Sequence, residues 1–372
     1  MAGAGLVRAT PYLPHDDSQV LAVLPAGARH TSQQTRDVVR SRLDIALPLA
    51  QFNISRSRAT GDLRYLGYAE AILAPWLARS PVDPSVLVLH ATILQSRHAF
   101  GAALTELDQA LRARPGDAQA WLTRATVLRV LGRYDEALAS CQHLEPAADA
   151  AIVTLCTESL LGLTGHLQIA YTTVAALPQA SLPPEARAWR YSELGEMAER
   201  LGNDAAAEHY FQEGLHVAAD DFYMRAAYAD LLLRHGRAAQ TVQLLAGYES
   251  MEPMLLRIAI AHRMLHDGAD PGSRALLATA FQVEQQRGDA VHRREQARFF
   301  LDVEPNPGAA LAAAQENWQV QREPDDALIL LRAASAAGQS PAAQPARQFL
   351  QQVHLQDARM AGLTAPTAAA TP

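Results

Sequence analysis

The most constraining feature of this chain is a pattern of apolar and small residues that recurs every 34 residues. It is clearest in the unit that begins at Pro84, and adding 34 to each position of that unit gives similar residue types again. Two further copies begin at Ala188 and at Phe222, which are themselves 34 residues apart. Four copies in nearly the same phase indicate a repeat protein, in which each unit is stabilised by stacking on its neighbours.

Within each unit the spacing of the apolar residues predicts two helices. They follow one another at intervals of three and four, which is helical spacing. A glycine near the fifteenth position, such as Gly132, Gly202 or Gly236, separates the two helices and allows a tight reversal. Alanine or glycine at the eighth and twentieth positions lets the two helices approach closely. An alanine-rich chain with only 6% aromatic residues also favours helices over sheets.

The segment DAQAWLTRATVLRVLGRYDEAL (117–138) resembles the tetratricopeptide repeat (TPR), whose pattern is W-x2-L-G-x2-Y followed by Ala, Phe, Ala and Pro at later positions. The resemblance is good from Pro84 to Gly247 and weaker on both sides. It implies an all-α fold, a right-handed α-α superhelical solenoid of about nine TPR-like helix pairs. No independent second domain is expected.

Five segments are predicted along the solenoid. They are an irregular N-terminal segment (1–30), N-terminal helices with one degenerate TPR-like pair (31–83), the core array (84–250, with units near 84, 118, 151, 188 and 222), degenerate C-terminal helical pairs (251–360) and a disordered tail (361–372). The tail is assigned from its small, low-complexity residues, because chain ends of that kind rarely order.

The basic residues exclude several classes of function. All 32 of them are arginine, so P-loop phosphate contacts, Schiff-base catalysis and Ser-Lys nucleophiles are impossible. A net charge of −7 disfavours a general nucleic-acid binder. His262 and His266 are four residues apart on a predicted helix, but zinc normally needs a third ligand and an activating acid, and residue 263 is Arg and not the Glu of the zinc-protease motif. We therefore predict no cofactor, no metal and no nucleic-acid partner.

The resemblance also implies a binding surface, because in TPR proteins the first helix of each pair lines a concave groove. We predict a non-enzymatic scaffold whose groove holds a peptide or helix of a partner protein. Trp189 and Tyr223 fall at the groove edge and could anchor such a peptide. The residues carried over to the groove are Thr92, Gln95, Thr123, Thr126, Arg129, Trp189, Glu193, Glu196, Tyr223, Asp230 and Arg234.

The charge of the groove suggests a preference among partners. Residues 185–230 carry ten acids and four arginines, a net −6 of the total −7. One interpretation is a groove that is acidic in its middle and selects a basic or amide-rich peptide. The other is an ordinary solvated helix face. The Lys and Asn side chains of the family's carboxylate clamp are missing, so docking of chaperone tails is not expected.

A rival function is a helical-solenoid enzyme or accessory factor that acts on cell-envelope glycan. Some enzymes of this kind use a catalytic Glu followed by Ser, and the dipeptide occurs at Glu158-Ser159 and Glu249-Ser250. A dipeptide is weak support, and the flanking residues add none. We therefore assign no catalytic residue.

Cys141 and Cys156 are the only cysteines. Both lie in apolar helical stretches, where cysteine usually acts as a small buried hydrophobic residue. A bridge between them is the alternative, since consecutive packed helices could bring them near. The sequence as given predicts a soluble, cytoplasmic protein, or a periplasmic one if a leader has been removed or misassigned. The oligomeric state is left open.

Overall fold

The computed structural model describes residues 38–145, 147–179, 182–266, 271–287 and 292–363. The predicted N-terminal segment (1–30) and most of the predicted tail lie outside these ranges. Within them the chain forms eighteen complete α-helices and no strand, which confirms the all-α prediction. No helix in these ranges has both the length and the apolar character needed to cross a membrane.

The helices pack as nine consecutive pairs, and the two helices of each pair are in contact. The first helices of the pairs are α1 (Leu43–Thr60), α3 (Pro84–Ser96), α5 (Ala118–Val130), α7 (Ala150–Leu161), α9 (Pro184–Arg200), α11 (Phe222–Arg234), α13 (Glu252–Leu265), α15 (Arg293–Asp302) and α17 (Pro324–Ala336). The second helices are α2 (Arg64–Leu77), α4 (Phe100–Ala113), α6 (Tyr134–Gln142), α8 (Leu167–Ala176), α10 (Asp204–Val217), α12 (Ala238–Leu244), α14 (Pro271–Arg287), α16 (Pro307–Val320) and α18 (Gln344–Gln352). Two 3-10 helices, Ser340–Ala343 and Ala358–Met360, lie on either side of α18.

The helix starts are set by local hydrogen bonds. The side chains of Asp83, Asp117 and Asp221 each accept a bond from a backbone N–H in the first turn of α3, α5 and α11, at 2.8–3.0 Å. Such a cap satisfies a backbone donor that has no partner inside the helix. The start of three first helices is therefore encoded by one residue each.

Most of the reversals within pairs depend on glycine, as predicted. Gly132, Gly202 and Gly236 have φ angles of 71°, 76° and 71°, a left-handed conformation that costs glycine little. The α3–α4 pair uses His98 instead, with φ 57°, and histidine is one of the non-glycine residues found there more often than most.

The predicted small residue at the eighth position is needed in the α9–α10 pair. A Cβ atom on Gly195 would lie 2.3 Å from the ring of Phe211, which is fully buried in α10. Close packing of this kind leaves no room for an added methyl group. Gly195 therefore allows α9 to approach α10.

Beyond neighbour stacking, the C-terminal pairs return to the loops of earlier pairs. The Arg322 N–H donates to the Val130 carbonyl at 2.8 Å, and the Tyr134 hydroxyl donates to the Arg322 carbonyl at 3.3 Å. The ring of Phe349 on α18 packs beside Tyr134, with 5.8 Å between centroids. The 3-10 helix at Ala358–Met360 contacts α9, and α11 contacts α1. The superhelix is therefore closed on itself.

Cys141 on α6 and Cys156 on α7 form a disulfide, with their Cα atoms 5.7 Å apart. The interpretation as two separate buried thiols is thus wrong, and the alternative, a bridge, is correct. The reason is packing between pairs. α6 ends one pair and α7 begins the next, and the two helices are in contact.

Candidate functional site

A cavity of about 840 Å³ lies between the first helices α9, α11, α13, α15 and α17, and we call it the central cavity. Residues 358, 359 and 363 also line it, so the end of the described chain forms part of its wall. Charged groups dominate the lining, with eight arginines and eight acids. They are Arg129, Arg200, Arg234, Arg257, Arg294, Arg298, Arg332, Arg359, Glu196, Glu199, Asp204, Asp230, Glu295, Asp302, Glu323 and Asp325.

Five of the eleven residues predicted for the groove line the central cavity, namely Arg129, Glu196, Tyr223, Asp230 and Arg234. The remaining six are Thr92, Gln95, Thr123, Thr126, Trp189 and Glu193, and they lie outside its lining. Thr92 and Thr123 are buried, and their hydroxyls donate to carbonyls of their own helices at 2.9 and 2.8 Å. These two side chains are therefore not accessible to a partner.

Glu193 belongs to an internal ion-pair cluster. Arg129 Nη1 lies 2.7 Å from Glu193 Oε1, and Arg129 Nη2 lies 3.4 Å from Glu196 Oε2. The indole N–H of Trp189 donates to Glu193 Oε1 at 3.1 Å. Only 3% of the Glu193 side chain is exposed, so its carboxylate is held inside the protein by Arg129 and Trp189. Neither Glu193 nor Trp189 lines the central cavity.

Two further ion-pair clusters lie along the cavity. Asp230 on α11 accepts from Arg257 of α13 and lies 2.8 Å from Arg298 of α15. Arg359 Nη1 lies 3.5 Å from Glu199 and 2.9 Å from Asp325. These bonds join helices from distant parts of the sequence across the inner face of the superhelix.

Residues 185–230 do not form the acidic groove that their composition predicted, because arginines balance the acids of the cavity. Four acids of this segment, Glu193, Glu196, Glu199 and Asp230, are opposed by arginines from elsewhere in the chain. The lining carries equal numbers of the two charge types. The alternative of an ordinary solvated face also fails for Glu193, because its carboxylate is buried. Arg257 and Arg298 come from the following first helices, and Arg359 comes from the 3-10 helix that returns to α9. Stacking and closure together therefore place arginines opposite these acids.

Burial and neighbouring charge shift the pKa values of the cavity carboxyls in opposite directions. Burial, together with the nearby Glu193 carboxylate, raises the pKa of Glu196 to about 7, although Arg129 opposes the shift. Burial also acts to raise the pKa of Asp230, but Arg257 and Arg298 outweigh it and the net shift is downward. Asp230 is therefore charged at neutral pH, whereas Glu196 gains and loses its proton near neutral pH.

The raised pKa of Glu196 predicts that stability falls as the pH rises. In the folded protein the Glu196 carboxyl has a pKa of about 7. In the unfolded chain the same carboxyl has the ordinary glutamate pKa of about 4.3. The stabilisation is therefore complete below the unfolded value and is lost as the pH rises through the folded one. Between pH 5 and pH 7 we expect wild type to lose about 2 kcal/mol more of its unfolding free energy than Glu196→Gln. Urea unfolding of both proteins at both pH values measures this difference. The prediction is contradicted if wild type and Glu196→Gln lose the same amount of unfolding free energy between pH 5 and pH 7.

The two glutamates considered for catalysis are not in the central cavity. Burial raises the pKa of Glu158, and the charged group that acts on it is His166, not a second carboxylate. Glu249 is exposed and accepts a bond from the Gly247 N–H at 3.0 Å. Glycoside hydrolysis ordinarily requires two carboxyl groups that flank the bond to be cut. The surroundings of these two glutamates therefore lend no support to the rival function.

No family model and no curated protein matches the sequence. Solved structures do match it. A thermophilic TPR protein from Thermus thermophilus is 19% identical over 51% of this chain and 98% of its own, with a TM-score of 0.41. A TPR protein from Parabacteroides merdae is 16% identical over 73% of this chain and 93% of its own, with a TM-score of 0.34. The APC/C hetero-tetramer Cut9-Hcn1 is 18% identical with a TM-score of 0.47, and the match covers 82% of this chain and 58% of that one.

The assignment of the fold rests on features of the chain itself. Asp83 and Asp117 begin first helices at the same point of successive 34-residue units. The reversing glycines and the close approach at Gly195 occupy the positions that the repeat predicts. By its own repeat and by the nine stacked helix pairs of the described residues, the chain is a TPR-like repeat protein with an α-α solenoid fold.

Proposed function

We propose that the chain is a non-enzymatic scaffold that holds a segment of a partner protein in the central cavity. The observation that carries this proposal is Tyr223, a large ring that lines the cavity and is 48% exposed. An exposed aromatic side chain in a concave, charged surface is the kind of residue that dominates binding energy at interfaces. The volume of about 840 Å³ is within the range of ligand-binding cavities.

The chemistry of the lining favours an extended segment over a helix. A helix satisfies its own backbone hydrogen bonds, whereas the peptide carbonyls and N–H groups of an extended segment can bind the intermixed arginines and carboxylates. Because the lining is balanced in charge, we expect amide-rich and zwitterionic segments to bind better than strongly basic ones.

The test is site-specific photocrosslinking in source cells, with a photoreactive amino acid in place of Tyr223. The matched control is Tyr68, which is 55% exposed but lies on α2, away from the cavity. We expect a discrete crosslinked partner from position 223 and none from position 68. Mass spectrometry of the product identifies the crosslinked segment, and the corresponding synthetic peptide is then titrated into the purified protein.

The affinity for this peptide completes the test. Tyr223→Ala is expected to weaken binding at least tenfold, because loss of an aromatic anchor at a hot spot costs about 2 kcal/mol or more, whereas Tyr68→Ala leaves it unchanged. Equal crosslinking from both positions, or equal affinity of both variants, would contradict the proposal.

A further inference from the structure

Three side chains of metal-binding type meet outside the central cavity, where three consecutive helices converge. Glu252 is the first residue of α13, Glu284 lies in the last turn of α14, and His292 directly precedes α15. One potential ligand atom from each lies within 4.8 Å of the other two. The His292 Nδ1 atom is 2.5 Å from Glu284 Oε1 and 3.2 Å from Glu252 Oε1.

The two carboxylates of this cluster have fewer positively charged partners than the other partly buried acids. Glu199 and Asp230 are each paired with two arginines, but the two carboxylates here share one imidazole. Their side chains are only 19% and 21% exposed. The Glu252 Oε1 atom is buried and makes no hydrogen bond within the described residues. A second positive charge at this point would therefore be strongly favoured.

The Glu295 carboxylate also acts on Glu252 and adds to this excess of negative charge. A cation beside Glu252 would offset the repulsion between these carboxylates.

We propose that Glu252, Glu284 and His292 bind one divalent transition-metal ion, with Zn²⁺ as the best fit. Imidazole nitrogen together with carboxylate oxygen suits zinc, whereas magnesium and calcium prefer oxygen ligands alone. Three protein ligands leave the fourth tetrahedral position for water or for a donor from another molecule. On binding, the ion replaces the proton shared between His292 Nδ1 and Glu284, and that proton is released to solvent.

The distances from His292 Nδ1 to the two carboxylates need only a small adjustment. With metal–ligand bonds of about 2.0–2.2 Å, ligand atoms around a tetrahedral ion are roughly 3.4 Å apart. The present separations of Nδ1 from the two carboxylates, 2.5 and 3.2 Å, reach this value through side-chain movements of an ångström or less. The bound ion would join the end of α14 to the starts of α13 and α15.

The experiment is isothermal titration of Zn²⁺ into the full-length, tag-free protein after removal of metal with a chelator. We expect one ion per chain. The double variant Glu252→Gln/Glu284→Gln keeps the shape of both side chains and removes their charge, and His292→Ala removes the nitrogen ligand. Each is expected to weaken the affinity at least tenfold, since even supporting residues around a metal typically contribute that much.

The matched control is His90→Ala. His90 Nδ1 lies 2.8 Å from Glu106 in a similar imidazole–carboxylate pair, but no third ligand joins it among the groups of this kind that the structure describes. This variant should bind Zn²⁺ with wild-type affinity. Circular dichroism of each variant verifies that its helices are intact, and Glu284→Gln alone replaces the double variant if the latter does not fold.

Cobalt provides a second measurement. Co²⁺ in a tetrahedral site gives strong visible absorption bands, which we expect from wild type and His90→Ala and not from His292→Ala. The proposal is overturned if wild type binds no Zn²⁺, or if the Glu252→Gln/Glu284→Gln and His292→Ala variants bind as tightly as wild type, because the ion would then be held by other histidines.

Discussion

Replacing Arg129 by methionine is expected to lower the free energy of unfolding by about 3–5 kcal/mol. The substitution leaves Glu193 and Glu196 side by side without their cation, in a site where their side chains are only 3% and 20% exposed. An unpaired buried charge costs far more than an ion pair contributes. The loss therefore comes mainly from the Glu193 carboxylate, because Glu196, with a pKa of about 7, can take up a proton. Urea unfolding at pH 7, followed by circular dichroism, measures it.

The control for this variant is Arg133→Met, at the reversal between α5 and α6. Arg133 pairs with Glu136 at 2.6 Å, but both side chains are nearly half exposed, so we expect a loss of no more than about 1 kcal/mol. Acid should also reduce the defect of Arg129→Met, because protonation removes the charge of the glutamates. Equal losses for the two arginine variants, or a defect independent of pH, would show that Arg129 does not compensate buried carboxylates.

Removal of the disulfide has the second largest expected effect. The double variant Cys141→Ser/Cys156→Ser should unfold with a free energy about 3 kcal/mol lower than that of oxidised wild type. The reason is that the bridge closes a loop of 15 residues and so restricts the unfolded chain. Urea unfolding of the variant and of wild type, without reductant, measures the difference.

Wild type with reductant is the control for that comparison, and its stability should match that of the double variant. A thiol titration of the unreduced, denatured protein must find no free thiol. Two free thiols, or a variant as stable as oxidised wild type, would contradict the prediction. Since disulfides persist mainly in oxidising compartments, alkylation of thiols in intact source cells also separates the cytoplasmic prediction from the periplasmic one.

The features that could be predicted from the sequence depend on residues close together along the chain. A capping aspartate such as Asp117 acts within one helical turn, and Gly202 acts within one reversal. Gly195 and Phe211, which must match in size, are only 16 positions apart. Contacts of this range recur in every unit, so the 34-residue pattern carries them, and it predicts the helices and their pairing.

The candidate site was only partly predictable, because its contacts join residues far apart along the chain. The pattern places Arg129, Glu196 and Tyr223 on first helices and hence toward the inner face, and these three do line the central cavity. It contains nothing about which arginine faces which acid. A count over 185–230 therefore predicted an acidic surface, whereas Arg129 and Arg359 come from outside that range to oppose its acids.

The sequence by itself determined the helix pairs, their reversals and their stacking, because each of these is a contact between neighbouring residues or neighbouring units. Only the tertiary structure decided the closure at Arg322 and Val130, the charge balance of the central cavity and the meeting of Glu252, Glu284 and His292. The closure and the charge balance depend on the small rotation between successive pairs, which accumulates over the whole superhelix. No single residue encodes that rotation, so the contacts that result from it cannot be predicted from the repeat alone.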